Sequence, residues 1–285
     1  MKKIIALLLA FTTVFAMALL TSCDEETAEP NETNVNQEVS EKAETPDEPE
    51  TPDEPVTPDA PKASLFETVD AAIKNTLAAT SLEAKVRVDQ TSDIMGNKSS
   101  SWKDVVVKTS GNNISVVGNK NEYDFESAHE YYYDGEWMYF NAYGDNYKQQ
   151  VDVAEFSAQA GGVAGAIVVL PEAVFANAVD NGTSVEITLD EATVEALYND
   201  TIVKIVCDIV GNDLNQATTK DAKITLSVKD GYIENYNLSF ACEIIVGNDR
   251  ADYTFNQTIN LSNVGGAVTV QFPHGYQNYS ELDWG

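Results

Sequence analysis

The feature that most restricts the fold is a period of two near the end of the chain. Ile224, Leu226 and Val228 alternate with polar residues. So do Tyr236, Leu238, Phe240, Cys242, Ile244 and Val246, with Ala241 and Ile245 the apolar residues of the other phase. Tyr253, Phe255, Ile259 and Leu261 give a further run, and Val268, Val270 and Phe272 a last one, stopped by Pro273. Successive side chains of a strand point to opposite faces, so each run is a strand with one apolar face to cover. Asp230-Gly231 separates the first two runs. A two-residue turn there would pair even positions with odd ones and put the apolar sets on opposite faces. The spacing therefore predicts a three-residue loop, Lys229-Asp230-Gly231, with Val228 opposite Tyr232, a type I turn and Gly231 as a left-handed bulge.

The middle of the chain mixes this period with a helical one. Ser64-Leu65-Phe66-Glu67 is a capping-box pattern, and Leu65, Val69, Ala72, Ile73 and Leu77 follow at helical spacing, giving an amphipathic helix that ends near Thr80. Leu82, Ala84, Val86 and Val88 then alternate with charged residues as a half-buried strand. Further strands are expected at 102–109, 114–117, 122–126, 130–133 and 136–141, the last two flanking Asp134-Gly135. From Asp152 to Gly182 the pattern is lost. Val153, Phe156 and Ala160 suggest a short helix, Gly161–Ala166 is small and pliable, and Pro171 can open a helix over 172–179. After a strand at 185–189, Asp190 caps a longer helix carrying Val194, Leu197, Tyr198, Thr201, Ile205 and Ile209 on one face. Val203, Val206, Cys207 and Val210 make its second half apolar on other sides too, so it should be wrapped by protein.

The first 61 residues are not part of that fold. Met1-Lys2-Lys3 precedes an apolar run of 17 residues, Ile4–Leu20, and then Leu20-Thr21-Ser22-Cys23. A basic start, a short apolar stretch and small residues before a cysteine fit a cleaved export signal better than a membrane-spanning helix. The segment resembles the lipobox of bacterial lipoproteins, which implies cleavage after residue 22, diacylglycerol on Cys23 and stable anchoring by more than one acyl chain. From Asp24 to Pro61 there are 14 acidic residues, one lysine (Lys42) and seven of the nine prolines, with Thr-Pro-Asp repeated at 45–47, 51–53 and 57–59. Such a segment has nothing to bury and repels itself, so it is expected to be an extended, disordered tether. The expected organisation is thus a leader (1–22), a lipidated cysteine and tether (23–61), and one extracytoplasmic domain (62–285).

The formal net charge is −29, and the domain is acidic even without the tether, which excludes the phosphate neutralisation that nucleic-acid binding requires. No metal site is expected: no CxxC pattern is present, and His129 and His274 lie far apart in sequence and far from Cys207 and Cys242. Whether those two cysteines pair is left open by their spacing. No catalytic motif is present, and His129 is expected to be exposed at a strand start; neither an enzymatic role nor a cofactor is expected. The cluster Tyr131, Tyr132, Tyr133, Trp137, Tyr139 and Phe140 reads as cross-strand packing first and as a platform for a sugar ring or lipid second.

The expected fold is α+β and mainly antiparallel: a strongly curved open sheet, a half-barrel of about nine to eleven strands, wrapping two to four helices. The order helix, strands, helical insertion, strands, with Ile224–Val228, Asp230-Gly231-Tyr232 and Val268–Pro273, resembles the LolA-like lipoprotein carriers and the related glycolipid-binding lipoproteins of bacterial envelopes. That resemblance implies a non-enzymatic, monomeric protein on the outer side of the cell membrane, taking a lipid or other apolar ligand against the concave sheet. Leu226, Phe240, Tyr253, Phe255 and Ile205 are the candidate lining residues. The alternative is a cell-surface module for glycan, wall polymer or a partner protein.

Overall fold

The structure is a computed structural model describing residues 64–282 apart from 95, 123, 143, 162, 164–165, 199–216 and 247–248. The leader, Cys23 and the tether lie outside the described residues, as do Ile205, Cys207 and the second half of the helix expected after Asp190.

The strands are β1 (Ser81–Ile94), β2 (Asn97–Ser110), β3 (Asn113–Glu122), β4 (Phe125–Tyr133), β5 (Trp137–Ala142) and β6 (Asp145–Gln150). After the helical insertion come β7 (Val179–Asp180), β8 (Val185–Thr188), β9 (Ala217–Lys229), β10 (Tyr232–Val246), β11 (Asp249–Ser262) and β12 (Ser280–Glu281). They form one open, curved sheet in the order β12-β6-β5-β4-β3-β2-β1-β11-β10-β9-β8-β7. Ten of the twelve strands have four residues or more. Among the described residues every pairing is antiparallel except the short β12–β6 contact. The fold class is the expected one, a half-barrel with a few helices. Among the described residues the helices are α1 (Leu65–Ala78), α2 (Val153–Ala160) and helical residues 191–198, with 3-10 turns at Glu172–Asn177 and Tyr276–Asn278.

The capping box starts α1 as the sequence requires: Glu67 N–H donates to Ser64 Oγ at 3.2 Å and Ser64 N–H to Glu67 Oε2 at 2.8 Å. Val69, Ala72 and Ile73 are buried against the sheet, whereas Leu77, expected inward, is 42% exposed. Thr76 takes the inward position. Its hydroxyl donates to Ala72 O (2.7 Å) and accepts from Ile233 N–H (2.9 Å), so a helix residue completes the hydrogen bonding of a sheet residue.

That contact explains the largest departure from the expected register. Asp230 and Gly231 both have positive φ (53° and 79°), and Lys229 faces Tyr232, so the β9–β10 turn has two residues, not three. Ile233 faces Val228, and a bulge between Ile233 and Asn235 then shifts the register so that Tyr236 faces Leu226. The extra residue that the parity argument demands is present, but inside the strand. The two-residue turn keeps the twist that suits a hairpin, and the bulge turns Ile233 inward beneath α1, where it is fully buried.

Three other segments differ from expectation. Residues 122–126 are the tip between β3 and β4, with Asp124 at φ 63°, because Glu122 pairs Phe125 directly. Residues 172–177 are a 3-10 turn, not an α-helix, and Val179 already enters β7. Val268–Phe272 alternates like a strand but forms no ladder, because its path crosses a face of the sheet. It leaves β11 beside β1, where Gly265 N–H donates to Ser81 O and Ser81 Oγ to Gly266 O (both 2.8 Å). It ends beside β6, where Leu282 N–H donates to Lys148 O (2.9 Å). These strands are five spacings apart in the sheet order, a span of about 24 Å.

Gly118 in β3 faces inward between Val105 of β2 and His129 of β4. A Cβ there would collide with the Asp104 carbonyl and crowd Val105 Cα at 2.7 Å. A glycine at this place lets the two strand backbones close up.

Candidate functional site

The inner face is set by register. Ala84, Val86, Val105, Val107, Val116, Tyr133 and Met138 share one phase across β1–β5 and are buried beside Phe156 and Ala160 of α2. On β9–β11 the same face carries Leu226, Tyr236, Phe240, Tyr253, Phe255 and Ile259. Four of the five candidate lining residues, Leu226, Phe240, Tyr253 and Phe255, therefore meet on one patch, and all four are buried. Phe240 and Phe255 stack with centroids 5.0 Å apart. Beside them Tyr198 and Tyr236 share a 2.8 Å hydroxyl–hydroxyl bond, and burial pushes the Tyr236 hydroxyl up to about 12. Cys242 is a free, buried thiol with the Thr219 hydroxyl 3.7 Å away.

The aromatic cluster divides between the two faces. On the inner face His129, Tyr131, Phe140 and Tyr147 form a row with successive centroid distances of 4.8, 5.8 and 6.1 Å. The row is half-open beyond His129, and Phe125, in the same phase, is 71% exposed. On the outer face, the crossing segment fills the space over Tyr132 and Tyr139. Phe272 lies 5.9 Å from Tyr132 and 6.0 Å from Tyr139, with Tyr276 and Tyr279 closing edge-on at 4.9 and 6.1 Å. Tyr139 Oη donates to Asp134 Oδ2 at 2.6 Å. Burial pushes the Asp134 carboxyl up, but hydrogen bonds from Tyr139 and the Trp137 and Glu136 amides outweigh it and hold the carboxyl below the usual range. Trp137 carries the Lys148 ammonium over its ring at 4.7 Å. The outer aromatics are thus packed by the chain itself.

His129 is the clearest correction. It is not exposed at a strand start; it sits inside β4 with 6% of its surface accessible. Its Nε2–H donates to Ala160 O at 2.7 Å, which satisfies a carbonyl in the last turn of α2. Nδ1 is buried without a hydrogen-bond partner among the described residues. Burial first, and then the Lys103 charge, pull its pKa down to about 4, so the ring is neutral at pH 7. Lys103 of β2, which sequence reading did not single out, points the same way. Its ammonium lies against Gly161, where a Cβ would collide with it, and burial lowers its pKa to about 8. The cue was its phase, shared with Val105 and Val107.

Two surface depressions, of about 570 and 520 Å³, are open and polar. The first lies between Asp145–Tyr147 of β6 and the C-terminal segment at His274, Asn278 and Tyr279; the second lies by Glu136, Gln150 and Asp152. His274 is exposed in a turn. Among the described residues no group of His, Cys, Asp and Glu could hold a metal ion, and no helix is long and apolar enough to cross a membrane.

No family model matches the chain, and no curated protein matches it. Among solved structures, the crystal structure of LprF from Mycobacterium bovis is similar at 18% identity and a TM-score of 0.35, over 74% of this chain and 97% of that one.

Proposed function

We propose that this is a non-enzymatic lipoprotein, anchored through Cys23 on the outer side of the cell membrane, whose inner sheet face binds a lipid or other apolar ligand. In this reading residues 1–22 are the leader, 23–61 the tether and 62–285 a single monomeric LolA-like domain. The observation that carries it is the inner face itself. An enclosed patch of Leu226, Phe240, Tyr253 and Phe255 and a half-open row of Tyr131, Phe140 and Tyr147 share one surface. Ile205, the fifth candidate, lies outside the described residues. Apolar surface with a few polar groups at one end is what a lipid site requires.

The test is mass spectrometry of lipid extracted from the protein purified from an exporting host, together with titration of a fluorescent fatty-acid probe. A co-purifying lipid and saturable probe binding are expected, with binding weakened in Phe140→Ala. Absence of both overturns the reading. The second reading, a surface module for glycan, wall polymer or a partner protein, draws on the polar depression beside β6, where Tyr147 and Tyr279 accompany Asn146 and Asn278. Binding on a glycan array that is lost in Tyr279→Ala would favour it.

A further inference from the structure

The segment that crosses the outer face does more than cover Tyr132 and Tyr139; its end builds one wall of the depression beside β6. Ser280 stands opposite Tyr147, and Leu282 N–H donates to Lys148 O at 2.9 Å, so backbone pairing ties this wall to the sheet edge. Behind it Tyr276 stacks on Phe272 at 4.6 Å and meets Tyr139 edge-on at 4.9 Å, which fixes the turn that carries Asn278 and Tyr279. Asp145, Asn146 and Tyr147 of β6 form the opposite wall. The space between them, about 570 Å³, is within the range that small-molecule sites occupy. Among the described residues the side chains of Asp145, His274 and Asn278 make no hydrogen bond within the protein. Elsewhere on the sheet such groups satisfy one another: Asn237 donates to Asn256 (2.8 Å) and to Thr258 (2.9 Å), and Thr91 and Thr254 share a 2.6 Å bond.

We infer that this depression is a binding site for an uncharged, hydroxyl-rich sugar. The site is separate from the apolar ligand of the inner face; it deepens the glycan reading and rests on it. Charge sets the ligand class first. Among the described residues the lining holds one carboxylate, Asp145, and no lysine or arginine. Lys148, the neighbouring cation, is engaged elsewhere, with its ammonium over the Trp137 ring at 4.7 Å and 3.3 Å from Glu281. An anionic polymer would therefore meet an uncompensated carboxylate in a chain of net charge −29. Hydrogen-bond chemistry sets the rest. A sugar hydroxyl donates and accepts at once, and this lining offers both roles side by side: Asp145 accepts, while Asn146 and Asn278 carry carboxamides that can do either. Asn146 gives its carbonyl to Asn141 Nδ2 at 3.1 Å and so keeps its own amide hydrogens for a ligand. Tyr147 and Tyr279 supply ring surface with a polar tip, which suits a sugar ring, whose C–H face is apolar and whose rim is polar. Because both walls are already held in place, binding carries little ordering cost.

The test is calorimetric titration with neutral trisaccharides of glucose, mannose, galactose and N-acetylglucosamine, and with trigalacturonate as the anionic comparison. Saturable binding of at least one neutral sugar is expected, with trigalacturonate silent. Asp145→Ala is expected to weaken it about tenfold or more, the ratio for a hydrogen bond to a charged group, and Asn278→Ala several-fold. Asn278 is exposed, so Asn278→Ala is expected to leave the Tm unchanged and keeps the test valid if another variant does not fold. Retention of the protein on isolated cell wall is the second measurement. Retention that no neutral sugar competes, a preference for trigalacturonate, or sugar binding that survives both substitutions overturns the site while leaving the surface module standing. Neither sugar binding nor retention on wall removes the surface module, and the site falls with it.

Discussion

His129 makes the protein acid-sensitive in a window that belongs to histidine. The ring is neutral in the folded protein because burial and the nearby Lys103 ammonium disfavour the imidazolium, and its pKa is about 4 against an ordinary 6.5. A folded-state pKa below the unfolded one means that the unfolded chain takes up the proton first. Stability therefore falls as pH drops below about 6.5 and stops falling once pH is below about 4. Integrating between those values, acidification from pH 7 to pH 4.5 costs about 2 kcal/mol, and the full displacement is worth about 3 kcal/mol. Asp134, held below the usual carboxylate range, titrates at the acid end of this window or beneath it. Urea unfolding at a series of pH values reads the slope, and His129→Gln is the control. Its amide can still donate to Ala160 O but cannot be protonated. The expectation is a stability that declines between pH 6.5 and 4.5 in the wild type and is nearly level there in His129→Gln. A level wild-type curve, or a decline of equal size in both proteins, would refute the argument.

Tyr236→Phe removes the partner of the buried Tyr198 hydroxyl; it should cost about 2 kcal/mol in chemical unfolding, the penalty for an orphaned buried polar group. Gly118→Ala forces a Cβ against the Asp104 carbonyl, and the backbone shift should lower stability by about 1–3 kcal/mol, read as a lower Tm. Removing residues 267–285 uncovers Tyr132 and Tyr139; the truncated protein should bind more of a hydrophobic dye than the intact chain.

How much of this was legible follows from what one-dimensional patterns can carry. The period of two located β1, β10 and β11, and the Ser64–Glu67 box located α1, because both depend on local geometry that the residues themselves impose. The parity of the β9–β10 hairpin was legible as a requirement for one extra residue. Its position was not, since a bulge at the turn and a bulge at Glu234 satisfy the same count, and only the Thr76–Ile233 contact from α1 chooses between them. Val268–Phe272 shows that alternation marks one covered side and nothing more: a segment lying across a sheet alternates as a strand within it does. His129 was misjudged because the preference of histidine for the surface was set above phase. Its neighbours Glu126 and Glu130 hold the outward phase, and that alone would have turned it inward.

The two buried basic groups have a consequence for how the inner face is held. Lys103 and His129 both engage the end of α2, one packed on Gly161 and the other bonded to Ala160 O. Positive or donor groups are favoured at a helix C-terminus, where carbonyls are left without intrahelical partners. Yet each is held at a cost, the lysine through a lowered pKa and the histidine through an acceptor with no donor. Phe156 and Ala160 offset that cost by burying the apolar side of α2 against Tyr133, whose ring stacks on Phe156 at 5.1 Å. The apolar contact thus holds α2 down, and the polar contacts fix where it ends. Replacing His129 with an apolar residue of similar size should therefore leave α2 in place but strip Ala160 O of its donor, at a cost of about 1–3 kcal/mol in chemical unfolding.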